Sequence, residues 1–191
     1  MEIAGLLNLL CAIYGIIANG GRRPSALIAA FGSGARIVAG VGDSTLPSDP
    51  VFNGLEVIDA MFPFFDSSTQ ATQQFQSVMK KYAPSLGTAA LPMNPAVTQA
   101  YASGLMFEAA IKASGASTVT PESIKDGLYS FKGETLGGLT VPLSFTKGKP
   151  SPHNCYFTYA IKNGKYVEPN GLKYTCVPDK VIDPILSALN R

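Results

Sequence analysis

Three helix-start signals divide the middle of this chain and constrain its fold more than any other feature. They are Ser67-Ser68-Thr69, Asn94-Pro95 and Thr120-Pro121-Glu122. Each offers a short polar side chain that can satisfy free N–H groups of a first turn. Two add a proline at the position where a missing N–H costs nothing. Behind the first signal, Phe75, Val78, Met79 and Tyr82 recur at helical spacing, and Pro84 stops the pattern. Behind the second, Val97, Tyr101, Leu105, Ala109 and Lys112 step along one side, while Gly104, Phe107 and Ile111 make most of the rest apolar. A helix apolar on more than one face is expected to be sandwiched, and Gly115 suits its end. The third helix is predicted to run through Ile124, Leu128 and Phe131 and to close at Gly133.

Strand patterns flank these helices. Residues 35–41 (ARIVAGV) form a short apolar run that reads as a buried strand, followed by a turn-rich loop at 42–50 (GDSTLPSDP). Residues 55–65 (LEVIDAMFPFF) read as a second buried strand that leaves its sheet at Pro63. Residues 139–145 alternate as a strand, and residues 155–161 (CYFTYAI) are aromatic and β-branched. Asn163-Gly164 is a strong hairpin signal, because both central residues must take positive φ. Residues 165–167 return, residues 172–177 give a further short strand, and residues 181–189 read as a weak last helix interrupted by Pro184. Strands alternating with helices predict an α/β fold, a layered sheet with flanking helices, over residues 35–191. Residues 1–34 stand apart as an N-terminal helix and linker.

Composition removes several function classes. Hydrophobic residues make up 46% and charged residues 15%, the second well below the usual ~25%, which places the chain among folded proteins. The net charge is +2, and no basic run exceeds Arg22-Arg23 or Lys80-Lys81, so there is no footprint for nucleic acid. Residues 3–18 (IAGLLNLLCAIYGIIA) are shorter than the ~20 residues of a spanning helix. They read first as a buried helix, next as a residual or mis-started targeting segment, and least as a membrane span; the Met1-Glu2 start lacks the basic residues of a secretory signal. There is no C-x-x-C motif and His153 is the sole histidine, so no zinc site is expected. A Ser-His-Asp triad would have to use His153, which sits in a polar loop with nothing marked to orient it. Gly32-Ser33-Gly34 and Gly40-Val41-Gly42 do not complete a dinucleotide fingerprint, since neither follows a strand and opens a helix. No catalytic residue, metal or cofactor is expected.

The order of the segments resembles a known family. Residues 61–84 (MFPFFDSSTQATQQFQSVMKKYAP), 94–115 (NPAVTQAYASGLMFEAAIKASG), 121–145 (PESIKDGLYSFKGETLGGLTVPLSF) and 154–167 (NCYFTYAIKNGKYV) resemble the branched-chain amino acid binding proteins. These are type I periplasmic binding proteins, the receptors that feed small molecules to ABC importers. The likeness runs from about Phe52 to about Pro178 and corresponds to the C-terminal half of such a receptor. Thr140-Val141-Pro142 stands where the family favours Thr-Gly-Pro. The resemblance implies two lobes with a ligand cleft between them, an amino acid or similar small polar solute as ligand, and a membrane permease as partner. It also implies a periplasmic or extracellular location, with membrane anchoring as a variant. The chain is expected to be a fragment lacking most of the N-terminal lobe, and to self-associate where that lobe would cover it. Two other readings stand beside this one: a cytosolic α/β enzyme that uses a nucleotide, and a ligand-sensing regulatory module of the same fold.

The candidate ligand-binding residues are Asp43, Ser44, Thr98 and Tyr101. Asp43 and Ser44 lie in the loop after the strand at 35–41, and ligand groups in open α/β sheets gather beyond the carboxyl ends of strands. The resemblance implies that an acid near Asp43 pairs the ligand's amino group; a plain turn or cap is the alternative. Thr98 and Tyr101 fall in the first turns of the long helix, where the family's cleft comes close, and core packing is the alternative for Tyr101. Phe62-Pro63-Phe64-Phe65 reads as a hinge crossing, an apolar cleft wall or strand-end core. Cys155 opens the first strand of the Asn163-Gly164 hairpin and Cys176 closes the strand after it, so the hairpin brings the two within reach of a disulfide, a bond that persists in an oxidising compartment. Reduced packing cysteines are the alternative. Cys11 is expected to stay a free thiol in an apolar helix.

Overall fold

The computed structural model describes residues 43–149, 151, 153–182 and 184. The strand expected at 35–41, the apolar segment at 3–18, Cys11 and both G-x-G pairs lie outside the described residues.

The fold is mixed α/β. Strand β1 (Glu56–Asp59) precedes three helices: α1 (Gln70–Tyr82), α2 (Pro95–Ser114) and α3 (Pro121–Tyr129). Five strands follow: β2 (Lys132–Glu134), β3 (Leu143–Ser144), β4 (Cys155–Lys162), β5 (Lys165–Val167) and β6 (Tyr174–Cys176). All three helix starts use the expected chemistry. The Thr69 side chain accepts from Thr72 N–H, and the Thr72 hydroxyl accepts from Thr69 N–H in return. Thr120 and Ser123 repeat this reciprocal box at α3. Asn94 caps α2 through Ala96 N–H at 2.9 Å, with Pro95 behind it. Each cap contributes about 1 kcal/mol. Gly115 ends α2 in the left-handed region.

β4 is the centre of the larger sheet. β1 pairs along one edge, and β5 and β6 pair along the other, all antiparallel. Asn163 and Gly164 turn β4 into β5 with φ of 51° and 73°. The return arm leaves the ladder at Glu168 and rejoins it at Tyr174. The excursion begins with a turn, Glu168-Pro169-Asn170-Gly171, closed by Gly171 N–H on the Glu168 carbonyl at 3.1 Å. Gly171 has φ of 65° there, a conformation glycine takes without steric cost. Cys155 and Cys176 are direct register partners and are bonded to each other.

The strands are shorter than their apolar runs predicted. β1 ends at Asp59, because residues 60–62 pair instead with residues 139–141: Phe62 N–H donates to the Leu139 carbonyl and Val141 N–H to the Ala60 carbonyl. Met61 and Thr140 face each other across this bridge. For the same reason residues 139–145 contribute only Leu143–Ser144 to a ladder. α3 stops at Tyr129, short of Gly133, and Lys132–Glu134 form a strand paired with β3. The last helix starts earlier than predicted, with residues 179–182 helical.

Three apolar clusters follow the chain. Phe52, Leu55, Val57, Tyr159 and Ile161 pack on one face of the β4 sheet. Phe62, Phe64, Phe75, Met93 and Leu139 fill the region between that sheet and the helices. Ala110, Phe131 and Leu143 anchor α2, α3 and the small β2–β3 sheet. The two crossings at 60–62 and 139–141 therefore run side by side through the middle cluster, from sheet to helices and back.

Candidate functional site

The loop at 43–45 is fastened from two directions. Ser44 N–H donates to the Met93 carbonyl at 2.8 Å, and Met93 N–H donates to Ser44 Oγ at 3.1 Å. These bonds hold the loop against the residue that precedes the Asn94 cap of α2. From the sheet side, the Tyr166 hydroxyl donates to the Asp43 carbonyl at 2.6 Å. The Asp43 carboxylate accepts from Thr45 through one oxygen, Oδ1, at 2.8 Å from the N–H and 2.5 Å from the hydroxyl. Its side chain thus serves a local turn, and among the described residues no hydrogen bond is recorded to Oδ2.

The other two candidates lie further into the helices. Thr98 is fully buried in the first turn of α2, and its hydroxyl donates to the Pro95 carbonyl at 2.8 Å. Tyr101 packs edge-on against Phe75 with ring centroids 5.1 Å apart, and burial pushes its phenol up. It also lines a groove of about 330 Å³ between α1, α2 and the 134–139 loop, with Ala71, Leu105 and Leu139 as apolar wall and Glu108, Lys112 and Glu134 as charged lining. The structure brings Ser44 to Met93, just before the N-terminus of α2; Thr98 lies buried inside that helix's first turn, and Tyr101 opens to a separate groove.

Sequence reasoning named Phe64 and Phe65 only as part of a crossing, cleft wall or strand-end core, and it did not single out Tyr159, Tyr166 or Glu168 beside them. Phe65 stacks on Tyr166 at 4.8 Å with the rings 6° from parallel. Phe64 meets Tyr166 edge-on at 5.4 Å, and Tyr159 meets Phe65 at 5.4 Å and Tyr166 at 5.7 Å. Such pairs contribute about 0.5–1.5 kcal/mol each beyond area burial. Tyr166 sits opposite Ile161 in the ladder, so it shares the buried face. The alternation of 161 and 166 about the Asn163-Gly164 turn is the signal that could have found it.

The polar groups of this region are strongly perturbed. Burial, then the charge of Asp59, pushes the Tyr159 phenol far up, and its hydroxyl is buried without a hydrogen-bond partner among the described residues. Burial, then Asp43, pushes Tyr166 up as well. Burial raises Asp59, against the lowering effect of N–H groups from Met61 and Ala60. Glu168 rises to about 7, through burial first and Asp66 second. Among the described residues, no cluster of His, Cys, Asp and Glu could hold a metal ion. Side by side, the region offers oriented backbone, hydroxyls, aromatic faces and carboxylates, which suits recognition of a small polar molecule.

Residues 20–165 match the family described as periplasmic binding protein. Neither the curated proteins nor the solved structures contain a match to this chain. The match spans both crossings, all three helices, the 43–45 loop and β4, and the family is one of extracytoplasmic ligand-binding receptors. The chain belongs to the periplasmic binding protein family.

Proposed function

We propose that this chain is the C-terminal half of the receptor of an ABC importer, and that it holds an amino acid or a similar small polar solute in a cleft between two lobes. The observation that carries the reading is the 43–45 loop, fastened to the N-terminus of α2 by Ser44 and Met93 and to the sheet by Tyr166. In this reading Asp43 Oδ2 receives the ligand's ammonium group, and the Ser44 hydroxyl, which still has its proton to donate, orients the carboxylate. Thr98, buried in the first turn of α2, supports the helical side of the cleft from behind, and Tyr101 faces the neighbouring groove. Closure occurs by bending at the paired crossings 60–62 and 139–141, the kind of hinge by which two-lobed binding proteins enclose a ligand. A permease in the membrane then takes the solute from the closed receptor. The Cys155–Cys176 bond fits an oxidising compartment. Among the described residues no helix is long and apolar enough to cross a membrane.

The test is calorimetric titration of the two-lobed receptor with a panel of neutral, acidic and basic L-amino acids. Saturable binding by a member of the panel is expected. Asp43→Ala should weaken it tens-fold or more, because losing one partner of a buried charge pair costs on the order of 2–5 kcal/mol. Absence of binding across the panel sinks the ligand class, and an unchanged Kd removes Asp43 from the site.

A further inference from the structure

Tyr166 is held from two sides by segments that are tied to the helices. On one side is Phe65. Gln76 of α1 donates through Nε2 to the carbonyls of Phe64 at 2.7 Å and Asp66 at 3.1 Å, so the backbone before and after Phe65 is fixed to that helix. The Phe65 ring lies flat on Tyr166, with 4.8 Å between centroids. On the other side is the 43–45 loop, tied through Ser44 and Met93 to the start of α2. Its Asp43 carbonyl accepts from the Tyr166 hydroxyl at 2.6 Å. Tyr166 itself belongs to the sheet, opposite Ile161 in the ladder. Phe65 and Tyr166 both pack against the sheet cluster and the middle cluster.

The two contacts respond differently to motion. Stacked rings can slide with little loss, because dispersion is spread over many weak atom pairs. A hydrogen bond of this kind is gone once donor and acceptor part by about 1 Å. The hydroxyl also sits at the far end of the ring, where a tilt of the side chain displaces it most. A bend at 60–62 and 139–141 that moves Phe65 over Tyr166 therefore reaches the 43–45 loop through the Tyr166–Asp43 bond. The Asp43 residue that receives it also accepts Leu46 N–H on its carbonyl at 3.2 Å and Thr45 N–H on Oδ1 at 2.8 Å, so the whole turn follows that carbonyl.

We propose that Tyr166 is a positioning residue for the 43–45 loop, and that its hydroxyl couples the aim of Asp43 to the angle between the sheet and the helices. The coupling is reciprocal: a molecule that binds Asp43 best with its carbonyl held by Tyr166 favours the angle at which that bond forms. The consequence for ligand affinity rests on the role of Asp43 given above; the coupling of loop and crossing does not.

The experiment is amide hydrogen exchange on the full chain, with Tyr166→Phe and Phe65→Leu alongside the unmodified protein. Tyr166→Phe keeps the ring and its stack and removes only the donor. The Asp43 carbonyl retains Leu46 N–H, so no acceptor is orphaned. Phe65→Leu keeps the hydroxyl and removes the stack. Both are expected to lower protection at Thr45 and Leu46 by roughly 2–12-fold, the range of one ordinary hydrogen bond. The Ile161 amide, which donates to the Leu55 carbonyl at 2.9 Å, should stay unchanged; it reports general loosening of the sheet, which a merely structural role would cause. Unchanged protection at Thr45 and Leu46 in Tyr166→Phe overturns the positioning role, as does a proportionate fall at Ile161. Loss in Tyr166→Phe without loss in Phe65→Leu overturns the coupling to the crossing. If Phe65→Leu does not fold, Phe65→Met supplies that arm.

Calorimetry of the two-lobed receptor adds the consequence for binding. Tyr166→Phe should weaken amino acid binding by roughly 2–12-fold, and that loss should vanish in the Asp43→Ala background, because Tyr166 acts through Asp43. Fully additive losses overturn this route. If no amino acid of the panel binds, the ligand class fails, while the exchange measurements still decide the coupling.

Discussion

Gly127 shows how much one missing carbon can decide. In an exposed helix interior, alanine is worth about 1 kcal/mol more than glycine. At this position in α3 an added Cβ would lie 1.9 Å from the Ala110 carbonyl oxygen of α2, and Ala110 is itself fully buried. Backbone cannot swing aside as a side chain can, so the overpacking cost outweighs the propensity gain. Gly127→Ala is expected to lower Tm by roughly 3–10 °C, and a variant that melts at or above the parent would refute the close approach. The aspartates tell a different story at the same scale. Asp43, Asp49, Asp59 and Asp66 each accept from the N–H two residues on, in Thr45, Val51, Met61 and Ser68. This local turn chemistry is legible in sequence, since aspartate favours such turns for its short side chain. The burial of Asp66 is not legible, because it depends on tertiary packing and not on its neighbours in sequence.

At the scale of elements, the helices were readable because their ends are written in local chemistry. Thr69, Asn94 and Thr120 cap the three starts as their residue types predict. Strand lengths were not readable, because an apolar run does not say which neighbour it will pair with. Residues 60–62 abandon β4 for residues 139–141, and nothing in residues 55–65 announces the exchange. Lys132–Glu134 carries no β signal and becomes a strand because β3 lies beside it. The 43–45 loop and the residue before α2 do come together, and Phe64-Phe65 was named from sequence, while the places of Tyr159 and Tyr166 beside them required the hairpin register. α2 also leaves a face without cover. Ala96, Ala100, Ser103 and Phe107 fall along one side of the helix and are exposed, Phe107 by 51%. A helix apolar all round belongs between two layers, and this face is uncharged. The purified chain is therefore expected to self-associate at micromolar concentration, and Phe107→Ser should reduce that association in sedimentation velocity. A monomeric, cooperative melt of the unmodified chain would refute it.

At the scale of the whole molecule, the β4 sheet and the helical layer are connected by two adjacent extended segments, 60–62 and 139–141, and by a shared apolar cluster that lies between the clusters of the two layers. The family match covers both layers. The Cys155–Cys176 bond has a different reach, because it ties the first residue of β4 to the last residue of β6. Seen as a path for force, the bond is a bypass. Tension applied at the two ends of the chain runs along the backbone to Cys155, crosses the sulfurs and leaves from Cys176. The Asn163-Gly164 turn and both arms of the hairpin carry none of it, so the oxidised hairpin cannot be unzipped by pulling, however weak its own ladder. In a single-molecule pulling experiment the segment of sequence separation 21 should stay hidden. Reduction should then add roughly 70 Å of contour, at about 3.3–3.6 Å per extended residue. Equal lengths with and without reductant would mean that the load reaches the hairpin by another route.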